Sequence, residues 1–161
     1  MAKTKVLLFS ALVASCLTST VEAADGDAAQ VARRFCAAAG DAATLRELMT
    51  EGLAGVIAEA EERNRAIAAA AGSDAAPLAD GVPYKSMAEE AACAPTSVSV
   101  SDNLTIVDIA YTVEGGRSWT DRLVLKKQPE GLRIDDILFA SFPTDTYQAG
   151  LRRVLADTFD Q

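Results

Sequence analysis

The chain has no histidine among its 161 residues. That absence removes the usual general base near neutral pH, the Ser–His and Cys–His pairs that activate nucleophiles, and the commonest zinc ligand. It argues against most hydrolases and leaves only chemistry built on carboxylates, Tyr, Lys or Arg. Aromatics are scarce, at 6 %, so the core must rest on Leu, Ile, Val and Ala, and helix is favoured wherever Ala is dense. Positive charge is also in deficit, with 15 basic against 23 acidic residues. A surface of that sign repels phosphate backbones and anionic lipid, which disfavours nucleic acid and favours basic or neutral partners. Beyond the first residues no apolar run is long enough to cross a bilayer, so no transmembrane segment is expected.

What is present begins with an export pattern. Lys3 and Lys5 precede the apolar run Val6 to Leu17, and a polar stretch ending Val21-Glu22-Ala23 follows. This is the order of a signal peptide, and a cut after Ala23 is expected, with residues 1–23 removed and 24–161 forming one domain in a periplasmic or secreted setting. Val13-Ala14-Ser15-Cys16 also fits a lipobox, so a lipoprotein anchored through Cys16 is the competing reading. Without the signal two cysteines remain, Cys36 and Cys93. In an oxidising compartment they are expected to form a disulfide, whose long loop stabilises by roughly 4 kcal/mol in the chain-entropy picture. Neither stands in a CxxC pair, so the bond reads as structural.

The hydropathy period divides the rest. Ala28, Val31, Ala32, Phe35, Cys36 and Ala39 lie on one helical face that ends at Gly40. Thr44-Leu45-Arg46-Glu47 has capping-box spacing for a short second helix. A third starts near Thr50 and runs to about Ala71, with Glu59–Arg63 and Glu61–Arg65 as i,i+4 pairs. Residues 73–83 read as a surface loop, and 86–92 as one further helical turn. After Pro95 the period becomes two. Strands are expected around Val98 and Val100, over 107–113, 118–127 and 132–139, with turns at Asp102-Asn103, Glu114-Gly115-Gly116 and Gln128-Pro129-Glu130-Gly131. A final amphipathic helix carries Tyr147, Leu151, Val154 and Leu155, capped by Thr144 or Asp145.

Helices first, then a meander containing Gly131-Leu132-Arg133-Ile134-Asp135-Asp136-Ile137, then Leu151-Arg152 in a terminal helix, resembles a family of exported bacterial domains of unknown function. That family is assigned a nuclear transport factor 2-like, or cystatin-like, fold. The resemblance covers residues 28–157, and Leu132 departs from it, because a Trp commonly stands there. It implies an α+β fold in which N-terminal helices are followed by a curved four-stranded antiparallel meander and a C-terminal helix, forming a cone. Members of the wider superfamily range from isomerases and dehydratases to pure binding modules, so fold alone does not select a function.

Superfamily enzymes that abstract a proton place an acidic residue in the cone beside a Tyr or a protonated carboxyl. Asp121 and Asp136 are the catalytic candidates here, and Tyr84, Tyr111 and Trp119 the candidate ligand contacts. By alternation Asp121 shares a face with Trp119 and Leu123, while Asp108 lies opposite Tyr111. Each has a plain structural alternative as a solvated carboxylate or core aromatic, and Arg33-Arg34 and Arg152-Arg153 read as solvated helix faces. No metal site or cofactor is expected, although Asp102, Asn103, Asp108 and Asp121 offer oxygens. The expected role is a non-enzymatic exported domain binding a small molecule or an envelope protein. The alternatives are a carboxylate-based isomerase or dehydratase and an inhibitor or immunity protein; oligomeric state is left open.

Overall fold

Helix α1 (Ser19–Ala37), α2 (Ala42–Glu47) and α3 (Glu51–Ala71) come first in a computed structural model that describes residues 19–101, 104–140 and 149–160. Strands β1 (Ala92–Ser101), β2 (Leu104–Thr112), β3 (Ser118–Gln128) and β4 (Gly131–Leu138) follow, then α4 (Leu151–Phe159). The sheet is an antiparallel meander in the order β1-β2-β3-β4, as the short turns require. The fold is α+β in the expected order.

One face of the sheet is apolar and covered. Val107, Ile109, Leu123, Leu125, Ile134 and Ile137 are fully buried there, and α1, which packs against β1, β2 and β4, buries Ala28, Ala32 and Phe35. The alanines let the helix backbone approach closely. Leu53, Ile57 and Ala60 of α3 with Leu151 and Leu155 of α4 complete one continuous core. A disulfide joins Cys36 of α1 to Cys93 of β1, with 5.4 Å between the α-carbons. The expected pairing is therefore present, and it fastens the first helix to the first strand.

Several local expectations change. Asp41, not Thr44, caps α2: its carboxylate accepts from the Ala43 and Thr44 amides at 3.1 and 3.2 Å, and the Thr44 hydroxyl donates back to it at 2.6 Å. With two acceptor oxygens against the single oxygen of a hydroxyl, the carboxylate is the better cap. Thr50 caps α3 through the Leu53 amide at 3.2 Å, and Gly72, at φ 95°, ends the helix in a conformation that side chains resist. The i,i+4 pairs on α3 do not form as expected. Glu61 instead takes Arg46 of α2, at 2.5 and 2.8 Å, and Glu62 takes Arg65.

Residues 86–91 make bends and irregular backbone rather than a helical turn, and β1 begins at Ala92, before Pro95, which an edge strand tolerates at a bulge. The loop after α3 is held down, since the Asn64 side chain both accepts from and donates to the backbone of Leu78. Thr144, Asp145 and Tyr147 lie outside the described residues, as do Asp102 and Asn103. Among the described residues no helix is long and apolar enough to cross a membrane.

Candidate functional site

Asp121 is the most informative residue of the sheet. Alternation with Trp119 and Leu123 turns it to the covered face, and it is 0 % exposed. A buried carboxyl group must find donors. It finds three from its own chain: the Ser86 amide at 2.9 Å, the Ser86 hydroxyl, and the Ala140 amide at 3.0 Å. Ser86 belongs to the loop before β1, and Ala140 follows β4, so one carboxyl group holds two irregular segments over the end of the sheet. Sequence reading located Asp121 and missed both donors, which carry no periodic signal.

Tyr111 and Trp119 face each other across β2 and β3 and stack, with ring centroids 5.0 Å apart. Both are 4 % exposed. In register with them on β1 is Cys93, so the disulfide, the tyrosine and the tryptophan form one row across the sheet. Burial, and after it the charge of Asp121, pushes the Tyr111 phenol well above its ordinary value. The Trp119 Nε1 is buried without a hydrogen-bond partner. Asp121, two residues along β3 from Trp119 on the same face, lies close enough to raise the Tyr111 phenol, so the acid and phenol that proton abstraction would need are neighbours, yet both are buried.

Tyr84 is brought to a different place. It stands near the Arg46–Glu61 pair, where burial raises its phenol, Arg46 opposes that rise and Glu61 adds to it. Its Oη and the Arg46 Nε are both buried and neither has a partner in good hydrogen-bond geometry, although Arg46 is close enough to act on the phenol. An open depression of about 230 Å³, lined by Glu61, Asn64, Arg65, Leu78, Gly81 and Val82, lies between α3 and the loop that follows it. A second, of about 210 Å³, lies between α3 and α4. Both fall below the volume usual for a pocket that engulfs a ligand.

Asp136, the other catalytic candidate, serves α4. Its Oδ1 accepts from the Ile137 amide at 2.9 Å and the Arg152 amide at 3.2 Å. Gly150 at the start of α4 offers no side-chain cap, so a carboxylate from a neighbouring strand does that work. A β-carbon on Gly150 would come within 2.8 Å of the Asp136 Cγ. Gly150→Ala is expected to destabilise by about 1–3 kcal/mol, read as a lower urea midpoint with unchanged slope.

Asp135 sits at a bulge: Val124 and Leu125 are adjacent, but their partners are Asp136 and Ile134. Both isoleucines flanking the Asp pair are therefore buried, three positions apart, where strict alternation would bury only one. Asp135 receives the Thr50 hydroxyl at 3.0 Å, Lys126 at 2.6 Å and Arg152 at 3.1 Å. Arg152 is not a solvated residue, for it also donates to the carbonyls of Asp135 and Gly52, at 2.8 and 3.2 Å. The segment Ile134-Asp135-Asp136-Ile137 and Leu151-Arg152 are thus one clamp tying β4, α3 and α4.

Burial alone would raise the Asp135 carboxyl, but hydrogen bonds from Lys126 and Thr50 and the charges of Arg152 and Lys126 outweigh it and hold it below the usual range. A depressed folded-state value adds stability above the unfolded value of about 4 and loses it as pH falls through the folded value. Stability measured against pH should therefore fall below about pH 4, and the fall should be shallower in Asp135→Asn.

Asp108 lies on the opposite face, as alternation predicts, and pairs with Arg122 at 2.9 Å and Ser97 at 2.6 Å. It is thus parted from Asp121, and among the described residues no group of three acidic or cysteine side chains is placed to hold a metal ion. Arg153, unlike Arg152, is solvated and pairs along its helix with Asp157. Comparison with family models, with curated proteins and with solved structures finds no match to this chain.

Proposed function

We propose that this protein is an exported, non-enzymatic domain of the nuclear transport factor 2-like type that binds a partner in the cell envelope through its outer surface. The Lys-flanked apolar start and the Cys36–Cys93 bond fit an oxidising compartment. The element order fits the superfamily. Lipid attachment at Cys16 is the variant of this reading that intact mass of the mature chain separates from a cut after Ala23.

The observation that carries the proposal is the state of Asp121. Its oxygens accept from Ser86 and Ala140, and the ring row beside it is stacked on itself. A general base must reach a substrate proton within hydrogen-bond distance, and here the chain's own loops occupy that space. A net charge of −8 then favours a basic or neutral envelope protein as partner.

A carboxylate-based isomerase is the second reading, favoured by the nearness of Asp121 to the Tyr111 phenol. It requires the Ser86 loop to leave. Trp119 is the only tryptophan, so its fluorescence separates the two. Titration with apolar carbonyl compounds should leave its emission unchanged, while photo-crosslinking in cells from position Arg65 should yield an adduct of discrete mass. A saturable emission change, with turnover lost in Asp121→Asn, would replace the binding reading with the isomerase.

A further inference from the structure

The two edges of the sheet are treated differently. The β4 edge is occupied: Ile134 exchanges backbone hydrogen bonds of 2.8 Å with Leu48 and Thr50, and Phe139 donates to the Ala149 carbonyl at 3.1 Å. Among the described residues β1 has backbone bonds to β2 alone. An unpaired edge is a template for another strand, and proteins usually guard it with charge, proline or a bulge. Pro95 and the bulge between Pro95 and Ser97 guard the first half of β1. Nothing of that kind guards Ser97-Val98-Ser99-Val100-Ser101.

Two further features mark this half-strand. Residues 91–101 carry no charge in a chain that is 24 % charged with a net charge of −8, so this is a place where two acidic copies approach without direct repulsion. Among the described residues, the large apolar side chains most open to solvent, Val100 at 47 % and Leu104 at 39 %, also stand at this corner.

We propose that residues 97–101 pair antiparallel with the same residues of a second copy, joining two four-stranded sheets about a two-fold axis at Ser99. That register sets Val98 of each copy opposite Val100 of the other, twice, which is the cross-strand apolar match that stabilises a pair. A two-fold contact must be self-complementary, and the Ser-Val-Ser-Val-Ser alternation is. Five paired residues make a small interface, so the dimer is weak and concentration-dependent.

Sedimentation equilibrium on the intact protein, over about a hundredfold range of concentration, should show the average mass rising toward twice the monomer. Ser99→Lys, which sets two ammonium groups opposite each other at an exposed position, should remain monomeric with an unchanged melting curve. Ser99→Cys should give a crosslinked dimer under mild oxidation, above the background of the parent chain, and Ser101→Cys should not, because it faces residue 97. A wild-type chain that stays monomeric throughout, leaving the edge to a heterologous strand, overturns the proposal. So does a dimer that survives Ser99→Lys, or equal crosslinking from positions 99 and 101.

Discussion

Replacing Asp121 by alanine should unfold much of the protein at temperatures the parent withstands. The substitution removes the one acceptor shared by the Ser86 amide, the Ser86 hydroxyl and the Ala140 amide, at a site that is 0 % exposed. A buried donor left without a partner costs about 1–3 kcal/mol, and the Ser86 hydroxyl can turn elsewhere, so the loss should be roughly 3 kcal/mol. For a domain of this size that is a melting shift on the order of 10 °C. Asp121→Asn should cost less, because one oxygen survives, but its NH₂ group then confronts a donor. Thermal denaturation followed by circular dichroism gives the order parent, Asn, Ala. If Asp121 were instead a catalytic base held in an unfavourable setting, its removal would leave stability unchanged or raise it.

Loss of the disulfide should be comparable or larger. Cys36 and Cys93 are separated by 57 positions, and removal of a native disulfide from a small domain typically costs about 2–5 kcal/mol. The structure states where the loss should fall. Cys36 follows Phe35 near the end of α1, and that helix covers β1, β2 and β4 with small residues whose packing gives little area each. Cys36→Ser with Cys93→Ser should therefore lower the denaturant midpoint and speed amide exchange in α1 more than in α3. A uniform change in all elements would show that the bond acts on the unfolded chain alone.

The parts of the fold that were legible in the sequence are those governed by a local period. Alternation placed Asp121 inward with Trp119 and Leu123, and Asp108 outward from Tyr111, because a strand offers only two faces. The range of α3 followed from Thr50 and Gly72, a cap and a stop that act on their own neighbours. Contacts between distant segments were not legible. Ser86 and Ala140 meet Asp121 across 35 and 19 positions, from irregular segments that have no period.

The Arg152-Arg153 pair reads as a solvated helix face. The role of Arg152 comes from the bulge at Asp135, which aims a carboxylate at it, and no pattern announced that bulge. Thr44 had the spacing of a capping box, but Asp41 came first in the chain and offers a stronger acceptor. Glu61 had an arginine one turn away and took Arg46 from another helix instead. Local rules set the elements, and tertiary geometry chose among equally charged partners.

The seal over the sheet is tested most directly by native-state hydrogen exchange at two amides, Ser86 and Ala140. Both lie outside helices and strands, where exchange is ordinarily fast. If the Asp121 carboxyl group latches these segments down, both amides should exchange as slowly as those of Leu123 and Ile109 in the covered strands, and in Asp121→Ala they should exchange freely. Rapid exchange at Ser86 and Ala140 in the parent protein would mean that the loops stand open over Tyr111 and Trp119. The inner face would then be an accessible pocket, contrary to the account given.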